Sequence, residues 1–470
     1  MSTEPASTRL SRLRERVGLH RPELRAWATY DWANSAMVLT ITTAIFPIFY
    51  SSVAGANVPR NVSTSRYALT TTVSLAFIAV LAPVLGAIAD YAAVKKRMLG
   101  FFMGLGVSAV ALMYFIDRGE WLLASVLFAA ANIGANGSFV MYDALLPHVA
   151  REDEMDRVST AAYALGYLGS GLLLALNLAW IQKPEWFGLP SGDGLTPEQA
   201  TLPVRLAFLS VAVWWLAFSI PLFRNVPEPP RVLEPDESER SSPVRTALMR
   251  LSETFHELRG FRNAFLMLLA FFIYNDGIGT IIRMAAIYGT EIGIGETHLI
   301  ASILIVQFVG IPFALLFGTL AGKIGAKRTI FIGLAVYVGI SIIGFFMRTA
   351  THFLLLAILV GTVQGGTQAL SRSLFASMIP KHKSGEFFGF FAVFEKFAGI
   401  LGPAIFWLTI TLTGSSRNAI LSVIAFFVAG GVLLHFVDVE EGKREAKERE
   451  LGVGSGESRM GEEVKVGRGV

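Results

Sequence analysis

Twelve stretches of mainly apolar residues dominate this chain, each close to the length a helix needs to cross a bilayer, about 20 residues. Their approximate limits are 27–51, 67–90, 97–116, 121–147, 159–181, 203–223, 263–289, 297–321, 329–347, 352–379, 386–412 and 417–437. In hydrocarbon no water is present to satisfy backbone N–H and C=O groups, so a spanning segment must pair its own as a helix. The expected fold is therefore an all-α membrane protein with twelve transmembrane helices. Composition agrees: 53% of the 470 residues are apolar and 16% charged, where a soluble chain carries roughly 25% charge. The chain has no cysteine, which excludes disulfides, zinc-thiolate sites, iron–sulfur clusters and thiol nucleophiles.

Charge sets the expected topology. With the N-terminus inside, most of the 40 Lys and Arg residues fall on the inner side, so both termini are predicted to be cytoplasmic. The expected organisation is a basic N-terminal segment (1–26), a six-helix bundle (27–223), a cytoplasmic linker (224–262), a second six-helix bundle (263–437) and a disordered tail (438–470). The first segment carries Arg9, Arg12, Arg14, Arg16, Arg21 and Arg25 without the apolar core of a cleavable signal peptide. Leu10, Leu13 and Val17 share one helical face, so an interfacial helix and a disordered basic tail both stand as readings. The linker, with its run VPEPPRVLEPDESERSSPVR, has the composition of solvated chain.

The two halves echo each other. After the second span comes GAIADYAAVKKR, with Gly86, Asp90, Lys95, Lys96 and Arg97; after the eighth comes GTLAGKIGAKR, with Gly318, Gly322, Lys323, Lys327 and Arg328. Both place small residues at a helix end, where helices can approach closely, and then a tight basic turn. Asp90 is expected to meet basic groups or a neighbouring helix N-terminus when the inner gate closes. Weaker echoes run in the same order: YDALLPHVA with SLFASMIP, and Tyr30–Asp31 with Tyr274–Asn275–Asp276. Two parallel repeats of six helices are a transporter plan, with the substrate site near mid-membrane between them.

The paired basic-turn strings resemble the loop signature of the major facilitator superfamily. Tyr91 and Ala92 depart from it in the first copy, and Gly322 stands in the acidic place in the second. The strings YDWANSA (30–36), EMDRVSTAAYALGYLGSG (154–171), YNDGIGTII (274–282) and GGTQALSRSLFASMIP (365–380) resemble its vacuole-effluxer-like branch, which includes autophagy-linked vacuolar amino-acid effluxers of yeast. The resemblance implies a secondary transporter working by alternating access, with helices 1, 4, 7 and 10 lining a central cavity. It implies an amino acid or related small polar metabolite as cargo, no cofactor and a monomer. The membrane would be the plasma membrane if the source is prokaryotic.

Charge at the bilayer centre costs roughly 2.5–3.5 kcal/mol per residue on insertion scales, so retained polar groups need partners or a wet cavity. The candidates for substrate or ion contact are Asp31 and Asn34 on helix 1, Asn132 and Asn136 on helix 4, Asn275, Asp276 and Arg283 on helix 7, Gln364, Gln368 and Arg372 on helix 10, and Glu395 on helix 11. Each has a structural alternative. Asp31 can cap its helix or pair with Arg25; the asparagines can tie helices together; Asp276 can sit in a hydrogen-bonded kink; Arg283 can snorkel. Asp143, near the inner end of helix 4, reads as a gate element. Arg372 and Glu395 share a depth and are expected to pair. Lys396, a residue further on, points about 100° away from Glu395 and has no assigned role.

Protons are a candidate coupling ion, carried by Asp31, Asp276 or Glu395. No nucleotide-binding loop points to ATP-driven pumping, and no HExxH or GxSxG constellation points to an enzyme. A lipid or hydrophobic-compound carrier of the same fold, and a non-transporting sensor or scaffold, remain as alternatives.

Overall fold

Proline punctuation and glycine turns divide the apolar stretches into helices much as the sequence suggests. The computed structural model describes residues 14–232, 261–291, 294, 296–398, 401–414 and 416–451. Most of the linker, the first 13 residues, the last 19 and the side chain of Arg283 lie outside the described residues.

The first bundle comprises α1 (Pro22–Ala54), α2 (Arg60–Ala92), α3 (Lys95–Leu112), α4 (Trp121–Val149), α5 (Met155–Gln182) and α6 (Pro197–Asn225). The second comprises α7 (Arg262–Glu291), α8 (Glu296–Ile324), α9 (Ala326–Phe345), α10 (Ala350–Ala376), α11 (Ser384–Phe397), α12 (Leu401–Thr413), α13 (Ser416–Ser422) and α14 (Ile424–His435). Eleven crossings among the described residues are long and apolar enough to span a bilayer on their own. The twelfth is shared by α11 and α12, of 14 and 13 residues, neither of which spans alone. The fold is the twelve-helix, two-bundle arrangement.

The break in the eleventh crossing has a local cause. Proline brings no N–H, which a helix tolerates in its first turn but not in its interior; α11 accordingly ends at Phe397, Ala398 takes ψ 87°, and α12 starts at Leu401 with Pro403 in its first turn. The first crossing is irregular as well. Beyond Ala36 it widens into π-helix over Met37–Ile45 and again over Tyr50–Ala54, a geometry found mostly at functional sites.

The repeated basic turns both pass through positive φ but differ in ψ, 54° at Ala93 and 150° at Gly325. Ala93 (φ 50°) between α2 and α3, and Gly325 (φ 89°) between α8 and α9, both take positive φ, seven residues after Gly86 and Gly318. Ala93 takes the left-handed αL geometry, at roughly 1–2 kcal/mol for an L-residue, whereas the combination at Gly325 is one that essentially only glycine adopts.

The expectation of a disordered tail from residue 438 is corrected: residues 439–451 form a further helix, α15. Its Gly442 lies against Met378 and Asn263, and Ala446 is buried. An apolar stripe of Val439, Gly442 and Ala446, hidden among charges, explains why composition misread it. At the other terminus, α1 begins at Pro22 rather than 27, because proline suits the first turn of a helix. Residues 14–21 are pinned by Arg21, which donates to Val149 O (2.9 Å) and Glu154 Oε2 (2.6 Å).

Candidate functional site

The bundles meet along two helix pairs, α2 with α11 and α5 with α8, and α10 also packs on α5 and α4. The closest approaches lie towards the end of the molecule where α1 starts and α14 finishes. There a Cβ on Gly86 of α2 would strike the Gly385 backbone of α11, and one on Gly318 of α8 would strike Thr160 of α5. These glycines allow backbones to approach as no other residue would.

Asp90 closes this end. Its two carboxylate oxygens accept the backbone N–H groups of Gly385 (3.1 Å) and Glu386 (2.9 Å), the first turn of α11, and it is ion-paired with buried Lys95. A carboxylate there satisfies orphan amides and complements the helix dipole. Beside it, Ser384 donates to Ala144 O (2.9 Å) and meets His148 Nε2 at 3.2 Å, joining α11 to α4.

The basic residues divide their roles symmetrically. Lys96 Nζ donates to Phe223 O (3.1 Å) and to Val226 O at the end of α6. Lys327 Nζ donates to His435 O (2.8 Å) and Val437 O (2.7 Å) at the end of α14. Each thus caps the last helix of its own bundle, where lysine complements the carbonyl end of the dipole. The backbone N–H of Lys96 also donates to the two carboxylate oxygens of Glu228, at 3.1 and 3.0 Å. Arg97, Lys323 and Arg328 are exposed. The copies differ at the acidic place: Gly322 leaves a gap in which a Cβ would lie 3.4 Å from Arg157 Nη2.

One turn deeper, a guanidinium crosses between the bundles. Arg372 of α10 approaches Asp143 Oδ1 of α4 at 3.0 Å and Asp31 Oδ2 of α1 at 3.5 Å. It also donates from Nε to Ser159 Oγ (3.0 Å) and from Nη2 to Ser159 O (3.2 Å) on α5. Trp27, Tyr142 and Tyr163 present their rings at 5.1, 5.5 and 4.7 Å from centroid to Cζ. Asp31 is held in turn by Ser35 Oγ (3.0 Å) and Tyr142 OH (3.4 Å). Next to this network Ser373 donates to Asp156 Oδ1 at 2.5 Å, and Ser159 to Ala369 O at 2.7 Å. Three helices of the first bundle therefore grip one helix of the second.

The expected Arg372–Glu395 pair is not formed. Arg372 reaches across the seam to the first bundle, whereas Glu395 pairs with its neighbour Lys396 at 3.2 Å. Long side chains close the angle that the helix opens between adjacent residues, which corrects the expectation that the two point apart. Asp31 does not pair with Arg25, which donates to Leu19 O (3.2 Å) and His20 O (2.9 Å).

The remaining candidates fall into two groups. Gln368 donates to Asn275 Oδ1 (3.2 Å), joining α10 to α7. Gln368 lies one turn from Arg372, and Gln364 a further turn beyond, both half-buried on the same face, as are Asn136 above Asp143 and Glu395. These polar side chains of α4, α10 and α11 keep part of their surface uncovered. Asn34, by contrast, is wholly buried and donates to Ala135 O (3.3 Å) and Ser138 Oγ (3.0 Å), tying α1 to α4. Asn132 and Asn136 donate to the carbonyls four residues back, Phe128 O at 3.0 Å and Asn132 O at 2.8 Å. Asp276 is also fully buried, and both its oxygens accept Gly402 N at 3.1 Å, so it holds the start of α12 after the break.

Sequence reasoning missed Trp27, Tyr142, Ser159 and Tyr163. Ser159 and Tyr163 stand one helical turn apart in the string at 154–171, but nothing in the pattern separates a ring facing a guanidinium from a ring in a core.

Residues 56–447 match the family model described as "Vacuole effluxer Atg22 like". Among curated proteins, the chain is 39% identical over 422 residues to the "Uncharacterized MFS-type transporter YxiO" of Bacillus subtilis, covering 88% of this chain and 94% of that one. It is 24% identical to "Autophagy-related protein 22" of Coccidioides immitis over 452 residues, covering 82% and 74%. Solved structures of the proton:xylose symporter XylE (TM-score 0.65, 14% identity, 91% of this chain and 96% of that chain) and of FucP in its outward conformation (0.63, 13%, 89% and 100%) share the fold.

Proposed function

The chain belongs to the Atg22-like vacuole effluxer family of major facilitator superfamily transporters, and from that premise we propose that it moves amino acids or related small polar metabolites by rocking its two bundles about a central site. It is an integral, multi-pass membrane transporter and not an enzyme. The observation that carries the alternating-access reading is the grip of Asp31, Asp143 and Ser159 on Arg372. These contacts join opposite bundles, so they must break when this end opens and re-form when it closes. The half-buried Asn136, Gln364, Gln368 and Glu395 are the hydrogen-bonding groups proposed to meet a polar cargo once the bundles part.

Protons are the proposed coupling ion. Separating Arg372 from Asp31 and Asp143 leaves two carboxylates without their shared cation, and a proton lowers the cost of that step. The basic-residue bias supports a cytoplasmic location for both termini, and hence for the closed end. A monomer contains both bundles and needs no partner subunit for this motion.

Purified protein in liposomes tests the reading. Labelled amino-acid flux is expected, accelerated by an imposed pH gradient; no flux across a metabolite panel defeats it. Asp276→Asn is expected to lower flux only in proportion to stability, because that carboxylate supports the broken crossing. An altered pH dependence in Asp276→Asn would return it to the coupling step.

A further inference from the structure

The surroundings of the Arg372 head have the chemistry of a binding box. Two carboxylates from different helices, Asp31 and Asp143, flank it at 3.5 and 3.0 Å, and three rings stand within 5.5 Å. Aromatic faces with an adjacent negative charge are how proteins recognise organic cations, since the ring quadrupole and the carboxylate attract the same ligand. The occupant here is supplied by the opposite bundle and is itself an organic cation. Two carboxylates thus face a single guanidinium.

We infer that Trp27, Asp31, Tyr142, Asp143 and Tyr163 form a subsite for the cationic group of an amine- or guanidine-bearing solute, with Arg372 as its tethered occupant while the end is closed. The inference rests on the alternating-access reading for its transport role, since the head must withdraw to admit a solute. It narrows the cargo to molecules carrying an ammonium or guanidinium; neutral sugars and purely anionic metabolites lack the group this box takes. In the closed state Arg372 competes with cargo, and a bound cation from solution takes over its contacts as the bundles part.

Chemical rescue tests this. Arg372→Ala removes two methylenes and the guanidino group, which together correspond to N-ethylguanidinium. Thermal unfolding of full-length Arg372→Ala in detergent is measured against N-ethylguanidinium and the neutral isostere N-ethylurea. A saturable stabilisation by the cation alone is expected, with affinity falling about tenfold for each of Asp31→Asn and Asp143→Asn added. Equal effects of cation and urea, or undiminished rescue in the triple variant, overturn the subsite. If Arg372→Ala does not fold, Asp143→Asn/Arg372→Ala relieves one orphaned carboxylate and is compared with the triple variant in the same way. Rescue does not depend on flux, so rescue without transport would refute the transport reading and leave the subsite standing.

Discussion

Replacing Asp90 with Asn should loosen the closed end without disturbing either bundle. In the closed arrangement Asp90 accepts two amides of the opposite bundle at 3.1 and 2.9 Å, whereas its partner Lys95 belongs to its own bundle and remains after opening. Only the two amide bonds therefore distinguish the states. A hydrogen bond to a charged group contributes about 1.5–3 kcal/mol and a neutral one about 0.5–1.5. Asn has one acceptor oxygen for the two donors, so one amide is weakened and the other orphaned. The closed state then loses about 2 kcal/mol relative to the open one, on the order of 30-fold in their ratio. The native chain contains no cysteine, so a single probe at Ala144, buried where α4 meets α11, reports opening by its rate of maleimide labelling. Labelling should accelerate about 30-fold in Asp90→Asn. Glu228→Gln, which weakens a contact between the start of the linker and α3 of the first bundle, should leave it unchanged. An acceleration below about threefold, or an equal one in Glu228→Gln, would refute the assignment of Asp90 as an inter-bundle latch, since 1.4 kcal/mol already corresponds to tenfold.

Four further outcomes follow from the same geometry. Gly86→Ala drives a methyl into the Gly385 backbone, so it should raise labelling of the Ala144 probe while Gly104→Ala, with open space around it, should not. Gly322→Asp sets a carboxylate beside the Arg157 guanidinium; an exposed pair contributes about 0.2–1 kcal/mol, so labelling should slow by up to about fivefold. Arg372→Gln orphans two buried carboxylates and should cost about 3–5 kcal/mol of stability in chemical denaturation, largely recovered when Asp31→Asn and Asp143→Asn are added. Burial pushes Glu154 up, but its hydrogen bond from the Arg151 amide and the nearby Arg21 and His20 cations outweigh this and hold it below the ordinary glutamate range. A depressed carboxylate contributes its stability in full above the unfolded pKa and loses it as pH falls through the folded one. Proteolysis of residues 14–21 should therefore increase in that acidic window, and a Glu154→Gln chain should show the same release at neutral pH.

Much of the fold was legible in the sequence because lipid leaves an apolar chain few options. Twelve spans, two six-helix repeats and the paired basic turns after α2 and α8 all follow from segment length and small-residue spacing. Pro403 was visible as a proline, although the crossing shared by α11 and α12 was decided by the tertiary structure. Asp90 was legible in kind, as an acidic residue set to meet a helix N-terminus, and its partners on α11 were not.

What the tertiary structure alone decided was pairing. Sequence placed Asp31, Asp143, Arg372 and Glu395 inside helices; only packing chose Asp31 and Asp143 over Glu395 for Arg372, and added Trp27, Tyr142 and Tyr163 around it. It also turned Asn34 and Asp276 inward as helix ties while leaving Gln364 and Gln368 half-accessible. Span length is a local property, fixed by the bilayer acting on each segment in turn. The partner of a buried charge depends on the rotation and depth of helices more than a hundred residues apart, and those are set by how all the helices pack at once.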